Sequence, residues 1–145
     1  MWADPAVTRF ISGRAFSREE VWARLLRYAG HWLWMEYGFW AIEEKSTSLF
    51  VGELGFAEFE REIQPRLAAP EAGWVLSPQF HGQGYGGEAL AAALAWADVR
   101  FPSTVCLIHP ENLASLRLAE KQGFGESMGI VYKGQPTVLL NRRTV

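Results

Sequence analysis

Residues 79–87, QFHGQGYGG, put four glycines into six positions, Gly82, Gly84, Gly86 and Gly87. Glycine at that density lets the backbone turn tightly and bring its N–H groups within reach of a bulky anion. Residues 88–101, EALAAALAWADVRF, are rich in alanine and leucine and predict a helix directly after the turn. The free N–H groups and the positive dipole end of such a helix favour phosphate. Residues 73–77, GWVLS, carry the β-favouring Trp74 and Val75 and stop at Pro78, so they read as a strand. Strand, short loop, glycine-rich turn and helix describe a pyrophosphate cradle. The alternative is a glycine-rich helix entry that holds no ligand.

Gly82-x-Gly84-x-x-Gly87 also satisfies the dinucleotide fingerprint, and Glu111 stands roughly where a ribose-binding carboxylate is expected. Two features oppose that reading. Residues 78–81 separate strand from first glycine, and the remaining chain is too short for the further βα units of a dinucleotide fold. A nucleoside-triphosphate loop fails because no Gly-Lys-Ser/Thr closes the motif.

Outward from the cradle, Asp4-Pro5 is a helix-start or turn signal, and Ser17-Arg18-Glu19-Glu20 is a capping box. Val21, Trp22, Leu25, Leu26, Tyr28 and Ala29 recur at helical spacing, with Gly30 as the stop. A densely aromatic run follows, then a strand over 39–44, a polar turn and a strand over 49–56. Gly52 and Gly55 inside that strand mark a bulge, the close approach of a ligand, or plain sheet curvature. Residues 57–72 read as irregular, with the charged run 58–62 a solvated loop. Residues 104–109, TVCLIH, form a nearly all-apolar central strand. Residues 112–122 form a helix with Leu113, Leu116, Leu118 and Ala119 inward and Gly123 as its cap. Residues 124–133 and 136–141 close a hairpin around Gly134-Gln135. The order α, β-β-β, α, β, α, β-β is that of a single mixed α/β (α+β) domain over residues 1–145, in which a parallel pair flanks the glycine loop.

A length of 145 residues suits one core, and 49% hydrophobic with 21% charged residues is an ordinary soluble balance. Seven tryptophans and nine phenylalanines fill a core or line a pocket. A net charge of -2 argues against nucleic acid and suits a cationic substrate better. Cys106, the only cysteine, lies in an apolar run and reads as a buried inert thiol, and three scattered histidines make no metal set. With no signal peptide and no apolar run near 18 residues, the expectation is a cytoplasmic protein without a membrane partner.

Residues 73–124, from GWVLSPQFHGQGYGGEAL through HPENLASLRLAEKQGF, resemble the GNAT superfamily of N-acetyltransferases, specifically its ribosomal-protein N-acetyltransferase (RimJ/RimL-like) branch. Two motifs carry the resemblance. The acetyl-CoA loop Arg/Gln-x-x-Gly-x-Gly/Ala is matched by His81, Gly82, Gln83, Gly84, Tyr85 and Gly86; Asn-x-x-Ser followed by Glu-Lys-x-Gly-Phe is matched by Asn112, Ser115, Glu120, Lys121, Gly123 and Phe124. DPAVTRFI, FVGELGF and YKGQPTVLL extend the likeness over nearly the whole chain.

The resemblance implies an acetyl-CoA-dependent N-acetyltransferase with a mixed sheet, helices on both faces, and a cleft between two splayed parallel strands. Backbone N–H groups from His81 to Gly87 would hold the CoA pyrophosphate. Trp74, Val75 and Leu76 would pair with the pantetheine arm as an added strand. A backbone N–H in the cleft would meet the developing oxyanion, a donor worth about 3 to 4 kcal/mol. Three departures stand out. His81 replaces the usual Arg or Gln. Ala119 occupies the position of a tyrosine acid, leaving Ser115 to hydrogen-bond the sulfur or simply a preceding carbonyl. Members of the family begin with a strand and most of a first helix before the Asp-Pro-x-Val segment, so the expectation is either a missing edge strand or a shortened version of the chain. A missing strand leaves the strand over 39–44 as an open edge and predicts self-association as a homodimer.

Acetyl transfer needs the amine as free base; near pH 7 an α-amine needs about one pKa unit of help and lysine about three to four. A weakly placed carboxylate therefore suffices for an N-terminal amine. Glu71, just before the strand over 73–77, is the candidate base, with Glu53 as the other carboxylate near the cleft. Trp32, Trp34, Tyr37 and Trp40 either wall the acceptor pocket or pack in the core. The competing reading is a catalytically silent acyl-CoA-binding or sensing protein.

Overall fold

Phe39–Glu43 (β1), Phe50–Ala57 (β2), Glu71–Leu76 (β3), Ser103–Ile108 (β4), Gly125–Tyr132 (β5) and Gln135–Arg143 (β6) form one sheet in the order β1-β2-β3-β4-β6-β5. The computed structural model describes residues 1–144. The helices are Pro5–Thr8 (α1), Arg18–Met35 (α2), Tyr85–Asp98 (α3) and Leu113–Lys121 (α4). Neighbouring strands run antiparallel except β3 and β4, the parallel pair expected from the crossover through α3.

Local signals decide where α1 and α2 begin. Asp4 accepts from the Ala6 N–H at 2.8 Å, with Pro5 at the first helical position. Ser17 and Glu20 close a reciprocal capping box. Gly30 does not end α2, contrary to its reading as a stop; the helix takes in residues 31–35 and closes at Glu36, a left-handed cap at φ 61. Side chains of the last turn hold it there. His31 accepts from the Glu58 N–H through Nε2 at 3.0 Å and so donates through Nδ1 to the Tyr37 carbonyl at 2.5 Å. Trp32 donates through Nε1 to the Phe39 carbonyl at 2.8 Å.

Successive residues of β2 point to opposite faces. Leu54 and Phe56 pack with Leu90, Ala93, Leu94 and Ala97 of α3, together with Cys106, Leu140 and Ala119 of α4. Burying a side chain such as Phe56, fully enclosed here, contributes about 1.5–3 kcal/mol. Glu53, the residue before Leu54, meets Tyr28 of α2 on the other face. Helices thus cover both sides. Leu113, expected inward, is exposed, because α4 starts there with Asn112 as its cap.

The glycines of β2 permit a close approach of backbone, not of ligand. A Cβ on Gly52 would lie 2.2 Å from the Val75 carbonyl oxygen, and one on Gly55 would lie 2.2 Å from that of Gly38. A register shift between Ile42 and Glu43 leaves Val51 unpaired, a bulge on β2 beside Gly52. The closing hairpin turns at Lys133 and Gly134, both at positive φ, so Gln135 already belongs to β6.

Candidate active site

The parallel pair touches at one register position, Glu71 with Val105. β4 takes its regular partner on the far side, β6, and β2 pairs with β3 from 71 to 76. The facing edges of β3 and β4 therefore diverge from Glu71, leaving a V-shaped cleft. The cleft measures about 1210 Å³, with Trp74, Val75 and Leu76 along one edge and Cys106, Leu107 and Ile108 along the other. Residues before α2 form a further wall: Phe10 packs tilted against His109 and Trp2 stacks on Phe16, both with centroids 5.3 Å apart.

At the open end of the V, α3 begins three residues earlier than its composition predicts, so Gly86 and Gly87 form its first turn. Gly84 is the N-cap at φ 90 and supplies no side-chain acceptor, which leaves the first N–H groups of α3 free of capping. A Cβ on Gly82, Gly84 or Gly87 would meet nothing within 4 Å. The loop is thus an open ledge of amides. His81 ties it back to the strand through Nε2 and the Leu76 carbonyl at 3.0 Å, while Gln83 donates to the Gln79 carbonyl at 2.7 Å. Gln83 and Tyr85 do not line the cleft, and the Tyr85 hydroxyl donates to Glu44.

Asn112 caps α4, accepting from the Ser115 N–H at 3.2 Å, and both residues line the cleft. No bond from the Ser115 hydroxyl to a preceding carbonyl occurs among the described residues, so that hydroxyl is available to the cleft. Ala119 is fully buried and contributes no group.

Glu71 stands at the apex of the V, as the first residue of β3 and not before the strand. Its carboxylate is buried and receives Arg61 twice, from Nε at 2.5 Å and from Nη2 at 2.7 Å. Arg61 also donates to the Tyr132 hydroxyl at 2.9 Å. Burial opposes the Arg61 charge, but bonds and charge from Glu71 and Tyr132 raise its pKa overall, fixing a guanidinium beside the apex. One bond to each oxygen leaves each with a lone pair for a water or an amine. Residues 58–62 are therefore not simply a solvated loop. Glu53 lies outside the cleft wall, accepting from Tyr28 at 2.6 Å, and burial followed by the Glu53 charge pushes the Tyr28 hydroxyl well above its ordinary value.

Trp32, Trp34, Tyr37 and Trp40 do not wall the pocket. Trp40 stacks edge-on against Trp32 and Trp96, Tyr37 is buried, and Trp34 is exposed. The cleft aromatics instead include Trp2, Phe10, Phe16, Tyr28, Phe39 and Phe59. Cys106 lines the cleft, but burial, then the Glu71 charge, pushes its thiol far above the ordinary range, as expected of an inert group.

A family model for the acetyltransferase (GNAT) domain matches residues 1–125. The chain belongs to the GNAT acetyltransferase family. It is 32% identical over 107 residues to the uncharacterized protein YkkB of Bacillus subtilis (strain 168), a match covering 72% of this chain and 60% of that relative's length. A putative GnaT-family acetyltransferase from Bordetella pertussis superposes with a TM-score of 0.82 at 31% identity, over 94% of this chain and 86% of the other. A putative ribosomal-protein-serine acetyltransferase from Vibrio cholerae shares the fold, with a TM-score of 0.69 at 21% identity over 88% and 76% of the two chains.

The residues of this GNAT site fit acetyl-CoA. The uncapped start of α3 and the open space at Gly82, Gly84 and Gly87 suit a pyrophosphate, and the unpaired edge of β3 suits an amide-bearing arm. Arg61, Tyr132 and the residues before α2 were not legible as site residues. The only signal for Arg61 was its place among alternating charges, the pattern of a solvated loop.

Proposed function

We propose that this chain is an acetyl-CoA-dependent N-acetyltransferase of the ribosomal-protein (RimJ/RimL-like) branch, acting on a primary amine by direct attack of its nitrogen on the thioester. The observation that carries the reading is the parallel pair joined only at Glu71 and Val105, with the uncapped start of α3 at its open end. Acetyl-CoA supplies the activated acetyl group. In this reading, backbone N–H groups of residues 81–87 hold the pyrophosphate, and Asn112 shapes the start of α4 beside it. The edge of β3 at Trp74, Val75 and Leu76 aligns the arm, so that the acetyl end lies near the apex of the V. Glu71 takes the amine proton, directly or through a water. Ser115 hydrogen-bonds the departing sulfur, a task for which Ala119 offers nothing.

The acceptor classes are protein N-termini and small-molecule amines. A panel of such amines incubated with acetyl-CoA, reading released thiol and the mass of the product, tests the reading. Thiol release that depends on the amine, with an acetylated product, is the expected result. Tight acetyl-CoA binding with no acceptor turned over would favour a silent acyl-CoA-binding or sensing protein, the reading that the missing tyrosine acid at Ala119 keeps in view.

A further inference from the structure

The chain as a whole carries a charge of -2, yet its cleft is basic. Arg9, Arg14, Arg24, Arg27, Arg61 and Lys133 line it against a single carboxylate, Glu71. Arg14 is neutralised by Glu20 and Arg61 by Glu71. Arg24 and Arg27 have no carboxylate partner within salt-bridge distance among the described residues. They lie three positions apart on α2, hence on one face.

Aromatic rings hold both guanidinium groups. Arg24 lies 3.8 Å over Trp2 and 5.1 Å from Phe16, and Arg27 lies 4.8 Å over Phe59. Arg24 spends one donor on the Tyr28 hydroxyl, at 2.8 Å, and its Nε is buried with no acceptor. Burial, then the neighbouring Arg24 charge, lowers the Arg27 pKa, as expected for a cation lacking a counter-ion. Held cations with unspent donors are costly unless an anion completes them.

Position separates this pair from the phosphate end. Phe59 lies under Arg27 and also 5.0 Å from Arg61, which grips Glu71. The pair thus neighbours the apex, whereas the glycine loop follows the far end of β3, about 17 Å away along five extended residues. A guanidinium is built for bidentate recognition of a carboxylate.

We propose that Arg24 and Arg27 form an anion site at the acceptor end, so that the substrate is a primary amine carrying a carboxylate or similar anionic group a few atoms from its nitrogen. This rests on the acetyltransferase reading. It excludes polyamines as preferred acceptors, since the pair repels a polycation. It also replaces the cationic substrate that net charge alone suggests. A free amino acid and the acidic N-terminal segment of a protein both satisfy this chemistry.

The test compares kcat/KM, each expressed on the concentration of free-base amine, for L-alanine with L-alaninamide, for the peptides Ala-Glu-Glu-Ala and Ala-Lys-Lys-Ala, and for spermidine. In at least one pair the anionic member should exceed its partner by about tenfold or more, the discrimination one charge-assisted hydrogen bond supplies. Which pair shows it identifies the source. Arg27→Glu should invert the ratio, and Arg27→Lys should keep part of it. Arg24→Gln should narrow it, scored below the melting temperature of that variant because Arg24 also packs between rings. Equal rates within both pairs, preference for spermidine, or an unchanged ratio in Arg27→Glu overturns the proposal. If no amine releases thiol, calorimetry decides, with N-acetyl-L-alanine and N-acetyl-L-alaninamide titrated into the CoA-loaded protein. Tighter binding of the carboxylate, lost in Arg27→Glu, leaves the anion site standing while the transfer reading falls; equal binding removes both.

Discussion

Glu71 is buried and doubly bonded to Arg61, which is an unusual setting for a base and suits only a substrate needing modest help. If it relays the amine proton, Glu71→Gln should lower kcat/KM at pH 7 by about 10²-fold, with part of the loss recovered at higher pH, where the amine is already free. Loss of a charge-assisted bond to Arg61 should also destabilise that variant by about 1–3 kcal/mol, readable as a lower Tm. Ser115→Ala should depress kcat with little change in KM for acetyl-CoA and with no rescue by pH, which stopped-assay kinetics across pH 6 to 9 can separate, roughly spanning the α-amine titration. Parental rates in both variants would leave catalysis to positioning alone. The loop glycines were legible by their density and Glu71 by its place beside the strand over 73–77, whereas Ser115 was legible only through family resemblance. Arg61, Tyr132, Arg24 and Arg27 were not, because each acquires its role from a partner 10 to 71 residues away or from none within the chain.

At the scale of elements, boundaries that depend on a cap were legible and those that depend on tertiary contacts were not. Asp4, Ser17 and Asn112 cap helices with their own side chains. The end of α2 is set by His31 and Trp32 reaching the chain at 37–39 and 58, which no periodicity reveals. One pair joins the end of α3 to β6: Arg142 donates to Asp98 at 2.5 and 2.9 Å. The bonds and charge of Arg142 outweigh burial and hold the Asp98 carboxyl below its ordinary value. A carboxyl whose pKa is depressed by folding stabilises the native state above its unfolded pKa, near 4, and loses that contribution as pH falls through the folded value. Asp98→Asn should therefore cost about 1 kcal/mol at pH 7, and the difference from the parent should shrink below about pH 4 in urea titrations. A difference that persists undiminished at pH 2 would mean that packing, not charge, supplies it.

For the whole molecule, the order of elements and the parallel pair were legible, and the way the pair splays was expected only from family resemblance, since spacing says nothing of inter-strand angle. β1 lies at one edge of the sheet, and α2 exposes Trp22, Leu26 and Leu33. An unpaired edge beside exposed apolar side chains invites a second copy, so the chain should self-associate, and a strict monomer by light scattering at tens of micromolar would contradict this. The central claim is that the ledge of amides between β3 and α3 holds acetyl-CoA. Titration calorimetry of the parent and of Gly84→Val, each shown to be folded by near-ultraviolet dichroism, tests it most directly. A side chain at Gly84 should fill open space over the ledge and abolish binding to the folded protein, while His81→Ala weakens it only a little; acetyl-CoA binding as tightly to Gly84→Val as to the parent would contradict the account.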